Sequence, residues 1–164
     1  ADQQRHPGGA RHLRTHDQGR GPGPRGLVTI FRVGQEGQFA GTGLVVYFYP
    51  RAFTPGCTGE SCDFRDRHET FLAAGYRVVG VSPDDPETLA RFREEHDLPF
   101  PLLSDPDHAA ASAFGAWGIK KNYGREYEGL IRSTFVVDAG GTIEQAWRNV
   151  RAKGHADRVE RALT

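Results

Sequence analysis

The chain has 164 residues, 37% hydrophobic and 26% charged, with lysine plus arginine and aspartate plus glutamate balanced at 21 each. That length suits one soluble domain around one core, and the charge balance excludes an overall field pulling the protein toward nucleic acid or an anionic membrane. No apolar run approaches the roughly 18 residues of a membrane span, and the N-terminus has no secretory apolar stretch, so a small substrate and a cytoplasmic setting are expected.

Residues 1–26 hold five arginines, six glycines, three prolines and three histidines, with Leu13 their only large aliphatic side chain. Such a stretch buries too little apolar surface to offset its ordering entropy. It is predicted to be a disordered tail that contributes little to catalysis, and His6, His12 and His16 are read as solvated rather than metal-binding. From Leu27 the composition changes. Residues 27–31 read as a strand opening a domain that runs to residue 164, of which residues 27–43 are atypical.

Leu44-Val45-Val46-Tyr47-Phe48-Tyr49 is an apolar, β-branched and aromatic run, the pattern of a strand buried on both faces. Residues 76–81 repeat it, and residues 100–103 give a shorter third copy. Each run precedes a helix signal: Thr54-Pro55, Asp85-Pro86 and Asp105-Pro106 set an N-cap side chain before a proline suited to the first helical position. Three β-then-α steps predict a parallel core with crossover helices. The end of the chain differs. Residues 133–138 and 142–150 flank Ala139-Gly140-Gly141, a hairpin signal, and a helix over 155–163 closes the domain. A mixed central sheet flanked by helices, then a C-terminal β-hairpin and a closing helix, is the order of an α/β thioredoxin-like fold, which by itself gives no function.

Ligands of open α/β sheets gather beyond the carboxyl ends of the strands, where Cys57 lies. With Thr54 as N-cap and Pro55 as the first helical residue, Cys57 takes the third position, among backbone N–H groups without intrahelical partners. A helix terminus contributes at most about 2 kcal/mol, short of what activated cysteines require. A cation must therefore arrive from elsewhere in the fold. Cys62 follows five residues later; two cysteines so spaced lack the companions of a zinc site, and the Cys-x-x-Cys of a thioredoxin-type reductase is absent. Such reductases also carry a proline before the penultimate strand, where this chain has Ser133-Thr134. Glu60 is accounted for by the helix dipole, and residues 63–69 by a solvated face of the same helix. On the residues alone, an inert Cys57, a Cys62 that is a small buried hydrophobe and a surface Arg132 stay open.

The segment Phe48-Tyr49-Pro50-Arg51-Ala52-Phe53-Thr54-Pro55-Gly56-Cys57-Thr58-Gly59-Glu60-Ser61-Cys62 resembles the active-site segment of peroxiredoxins, with its Pro-x-x-x-Thr-x-x-Cys pattern. The second cysteine is similar to that of the bacterioferritin-comigratory, or Q-type, subgroup. Phe114-Gly115-Ala116-Trp117, Lys120-Lys121-Asn122-Tyr123-Gly124, Arg132-Ser133-Thr134-Phe135 and Lys153-Gly154-His155 extend the resemblance across residues 44–164. It implies a thiol peroxidase that reduces hydrogen peroxide and organic hydroperoxides through a Cys57 sulfenic acid. Cys62 would resolve that acid as an intramolecular disulfide, re-reduced by thioredoxin or a similar dithiol protein. Thr54 would hydrogen-bond the peroxide, Arg132 would supply the cation and Pro50 would shield the pocket. The resemblance implies a monomer; no cofactor and no metal are expected. An inactive relative acting as a binding or chaperone-like protein is the alternative, against which Thr54, Cys57 and Arg132 are all in place.

Family members open with a hairpin containing Ala-Pro-Asp-Phe and an Asp-Gly turn. Residues 1–43 hold neither, Gln35-Glu36-Gly37 coming nearest. Because those strands cover a sheet edge, the departure bears on stability.

Helix geometry adds a constraint. Cα atoms five residues apart on a helix stand roughly 8 to 9 Å apart, whereas a disulfide requires about 4.4 to 6.8 Å. The helix start has to unwind before Cys57 and Cys62 can join, and Gly56 and Gly59 lower the cost of that opening.

Overall fold

The computed structural model describes residues 42–164. Strand β1 (Gly43–Phe48) leads into helices α1 (Pro55–Asp66) and α2 (His68–Ala73), followed by β2 (Tyr76–Ser82), α3 (Pro86–Glu95), β3 (Leu102–Ser104) and α4 (Ala109–Phe114). A hairpin of β4 (Trp117–Asn122) and β5 (Arg125–Leu130) precedes β6 (Ser133–Val137), β7 (Ile143–Trp147) and α5 (His155–Leu163). The tail predicted over 1–26, the strand at 27–31 and the rest of the atypical stretch to residue 41 lie outside the described residues.

The main sheet has the order β3-β2-β1-β6-β7. Strands β1, β2 and β3 run parallel, while β6 pairs antiparallel with β1 and β7 antiparallel with β6. This is the mixed sheet of the thioredoxin-like arrangement, with β1 central. Every residue of β1 is buried, as its unbroken apolar run predicts. Alternation sends Leu44, Val46 and Phe48 to the side that packs on α4. Val45, Tyr47 and Tyr49 face the helices α1, α2, α3 and α5, among them Phe64, Phe71, Phe92 and Val159. At Gly80 of β2, a Cβ would lie 2.9 Å from the Tyr47 hydroxyl oxygen, so only glycine lets that tyrosine lie flat against the sheet.

Several boundaries differ from the sequence reading for local reasons. Strand β3 begins after Pro101, which has no N–H to donate and instead accepts from Gly80 N through its carbonyl. Asp105-Pro106 does not start a helix. The chain first makes a turn, His108 N donating to Asp105 O, and α4 begins at Ala109. The buried Asp105 carboxylate still caps that helix from a distance, accepting from Ala110 N and Ala111 N at 3.0 Å each. The face read over residues 63–69 is not one helix, since α1 ends at Asp66 and α2 starts at His68. Phe64 within it is fully buried. The β4–β5 hairpin was not foreseen; it turns through Tyr123 and Gly124, both with positive φ (53° and 76°), as a tight two-residue turn requires.

Candidate active site

Helix α1 places Cys57 at its third position, as expected, and buries it to 1% exposure. The first intrahelical bond runs from Thr58 N to Thr54 O, so the amides of Gly56 and Cys57 precede it and have no helical acceptor. Thr54 has the extended backbone of an N-cap (φ −82°, ψ 152°) but makes no side-chain cap bond. This corrects the capping expectation. Its hydroxyl donates to Arg51 O at 2.7 Å instead. An N-cap hydroxyl ordinarily occupies the amide of the second or third helical residue, so its absence leaves the Cys57 end of the helix open to another acceptor. The bond also commits the Thr54 proton, leaving the oxygen's lone pairs as acceptors.

The missing cation comes from the segment between β5 and β6. Arg132 Nη2 donates to Cys57 Sγ at 3.1 Å, and Nη1 donates to Glu60 Oε1. Burial works against the Arg132 charge, but Glu60 and Cys57 outweigh it and hold the guanidinium above its ordinary value. A Cβ at Gly56 would sit 3.7 Å from Nη2, in ordinary contact, so the approach does not itself require glycine there.

Glu60 overturns its sequence reading. It is not a solvated first-turn acid but is 1% exposed, one turn beyond Cys57 and facing the same guanidinium. Burial pushes its carboxyl up to about 7, with Arg132 pulling in the opposite direction. Its second oxygen, Oε2, is buried without a hydrogen-bond partner. Burial in that position depends on an arginine 72 residues away, which no local pattern reveals.

The loop between β1 and α1 carries Pro50, half-buried, and is anchored from a second unforeseen residue. Asp84 Oδ2 accepts from Ala52 N at 2.8 Å and from Ser82 Oγ at 2.7 Å. This clamps the strand-to-helix turn against the end of β2. Phe53 in the same loop has φ 67°, a conformation costly for a bulky side chain, and its ring packs edge-on against Phe92 at 5.0 Å. Lys120 on the hairpin is a further unforeseen neighbour. Burial lowers its pKa, and Arg132 lowers it further while Cys57 opposes.

Cys62 lies on the same helix, half-buried, and both cysteines are free thiols. Its sulfur is 4.0 Å from His96 Nδ1 at the end of α3. The structure thus gathers Cys57, Thr54, Glu60 and Arg132 around the start of α1 and holds Cys62 apart against α3. Among the described residues no cluster of histidine, cysteine and acidic side chains could hold a metal ion. No helix there is long and apolar enough to cross a membrane.

The model of the AhpC/TSA family matches residues 34–146, reaching back across Gln35-Glu36-Gly37. Peroxiredoxin Bcp of Bacillus subtilis is 50% identical over 117 residues, covering 71% of this chain and 74% of that protein. A structure of Peroxiredoxin Q from Xanthomonas campestris superposes with a TM-score of 0.72 at 43% identity, covering 76% of this chain and 79% of the other. A trapped intermediate and ligand complex of the bacterioferritin comigratory protein of Xanthomonas campestris, solved to explain its alkyl peroxide reduction, gives 0.72 at 42% identity and covers 76% and 80%.

Proposed function

The chain belongs to the AhpC/TSA family, as a peroxiredoxin of the Bcp or Q type, and we propose that in this peroxidase Cys57 is the peroxidatic cysteine and Cys62 its resolving partner. The observation that carries the assignment is the Arg132 Nη2 to Cys57 Sγ contact of 3.1 Å. It sets a positive charge and a donor directly on the sulfur and leaves further donors of the same planar fork for a peroxide oxygen. The Cys57 thiolate attacks one oxygen of the hydroperoxide, and the O–O bond breaks as the S–O bond forms. The sulfur becomes a sulfenic acid, and the departing hydroxide or alkoxide takes up one proton to leave as water or an alcohol.

Thr54 accepts the peroxide O–H, since its own proton is committed to Arg51 O. That contact and the Arg132 fork together align the O–O bond. The amides at the start of α1 and the guanidinium stabilise the charge developing on the leaving oxygen. Pro50 shields the thiolate from water at the mouth of the site.

In the second half of the cycle Cys62 condenses with the sulfenic acid to an intramolecular disulfide, which thioredoxin or a similar dithiol protein reduces. A cycle that needs a reduced dithiol belongs in a reducing compartment such as the cytoplasm, and the enzyme works as a monomer. The test is consumption of hydrogen peroxide and an organic hydroperoxide by the full chain with thioredoxin and its reductase, with mass spectrometry of the oxidised form. Turnover lost in Cys57→Ser and a Cys57 to Cys62 disulfide in the wild type are expected. Turnover retained in Cys57→Ser would overturn the peroxidatic assignment, and an oxidised wild type without that disulfide would remove Cys62.

A further inference from the structure

Cys62 stands at a second cluster, on the side of α1 that faces the end of α3. Its sulfur is 4.0 Å from His96 Nδ1, within reach of a sulfur hydrogen bond. On the other side of the imidazole, Nε2 is 3.7 Å from a carboxylate oxygen of Glu95. The ring is fixed between two aromatics, Phe92 at 5.2 Å and Phe53 at 6.3 Å. Its backbone is tied to the cysteine's own helix, because Arg65 Nη1, one turn beyond Cys62, donates to His96 O at 2.7 Å. A nucleophile beside a base whose far nitrogen meets an orienting carboxylate is a general arrangement for activating a weak nucleophile, and it is often loose before reaction.

We infer that Cys62, His96 and Glu95 form a proton relay that primes the resolving thiol, an inference that rests on the resolving role proposed for Cys62. A proton on Nε2, favoured by the Glu95 carboxylate, leaves the Nδ1 lone pair toward Cys62. Nδ1 takes the thiol proton while α1 is still folded. The opening of the helix then carries a thiolate, rather than a thiol, toward Cys57. That thiolate attacks the sulfenic sulfur; the S–S bond forms as the S–O bond breaks, and the departing hydroxide takes up one proton to give water. One sulfur is reduced and the other oxidised, so no outside oxidant is needed. The proton left on His96 exchanges with solvent through Glu95, whose side chain is 65% exposed and lines an open cavity of about 440 Å³ with Phe53, Arg91 and Glu94.

Other charged groups surround the pair. On α1, Arg65 lies close enough to Cys62 for the two to interact, and its partner Asp66 is 3.0 Å away. Asp97, after α3, acts on the same arginine, and Glu95 is the acid that contacts the ring.

An ordinary thiol, with a pKa of about 8.5, is roughly 3% ionised at pH 7, so a base that removes this limitation is worth at most about 30-fold there and nothing above pH 9. The test is the rate of disulfide formation from pH 6 to 9.5 after a peroxide pulse, read by alkylation quench and mass spectrometry. It compares wild type with His96→Phe, which keeps a ring between Phe92 and Phe53, and His96→Gln. Both variants are expected to resolve about tenfold more slowly at pH 7 and to converge with wild type above pH 9, while oxidation of Cys57 by peroxide stays within about twofold. A slowing of equal size at every pH, as lost packing would give, overturns the relay, and so does no slowing at all. A wild type that never forms the Cys57 to Cys62 disulfide instead overturns the resolving role itself, and is seen without any His96 variant.

Discussion

Arg132 Nη2 reaches Cys57 Sγ at 3.1 Å although the two residues are 75 apart in the chain. The same guanidinium holds Glu60 with its other terminal nitrogen, so two buried acceptors share one planar fork. A lysine ammonium offers the charge but not that geometry. Arg132→Lys is expected to lower the second-order rate of peroxide reduction by about a hundredfold, the scale of one lost transition-state donor. Stopped-flow oxidation of Cys57 measures it, and an unchanged rate would remove Arg132 from the reaction.

Glu60 weakens the fold as pH rises from acid to neutral. Its pKa rises from 4.5 unfolded to about 7 folded because burial opposes its charge. The folded state therefore binds its proton more tightly, and the cost of ionising it is absent below pH 4.5, grows between pH 4.5 and 7 and is complete above 7. A rise of that size corresponds to about 3 kcal/mol. Glu60→Gln, whose amide oxygen can still accept from Arg132, should gain stability relative to wild type as pH rises across this window. Urea unfolding at pH 4.5 and 8 checks it, and the same difference at both pH values would refute the assignment.

His155 acts in the opposite direction. It is fully buried at the start of α5, with Nε2 2.7 Å from Thr134 Oγ1 and Nδ1 without a partner. Burial, helped by Arg158 and Arg132, lowers its pKa from 6.5 to about 4. Its neutral form thus supports the fold fully above pH 6.5, and that support is lost as pH falls from 6.5 toward 4, on the order of 3 kcal/mol. In the wild type this slope offsets that of Glu60 between pH 4.5 and 6.5. His155→Gln should expose the Glu60 slope alone, with stability falling as pH rises from 4.5 to 7. A flat profile in this variant would show that one of the two shifts is misassigned.

Gly59 tests the unwinding of α1. A Cβ added there meets nothing within 4 Å, so Gly59→Ala costs no contact and should steady the helix by about 1 kcal/mol. If the helix must open before Cys62 reaches Cys57, disulfide formation slows about fivefold while the first oxidation is untouched. Hydrogen exchange over residues 55–66 should show protection in the reduced protein and its loss on oxidation. An unchanged resolution rate in Gly59→Ala, or equal protection in both redox states, would mean that the disulfide forms without opening.

The sequence by itself determined the elements whose signals are local and strong. The run at residues 44–49 had to be a strand buried on both faces, and β1 is. The proline after Thr54 set the start of α1 and with it the position of Cys57, and α5 spans the residues expected from 155 to 163. The β4–β5 hairpin left little trace because most of its residues are exposed or half-buried; only Leu130 and Trp117 at one end join the core, so its strands carry no regular alternation of apolar side chains. Only the tertiary structure decided what Glu60, Asp84 and His96 touch. A carboxylate near a helix start looks the same in sequence whether it faces water or a guanidinium. Arg132 turned Glu60 from a solvated acid into a buried one because desolvation is set by the residues packed over a group, and those come from another part of the chain. For the same reason Cys62 reads from sequence as a cysteine five residues after another, while the fold sets it against the imidazole of a histidine 34 residues away.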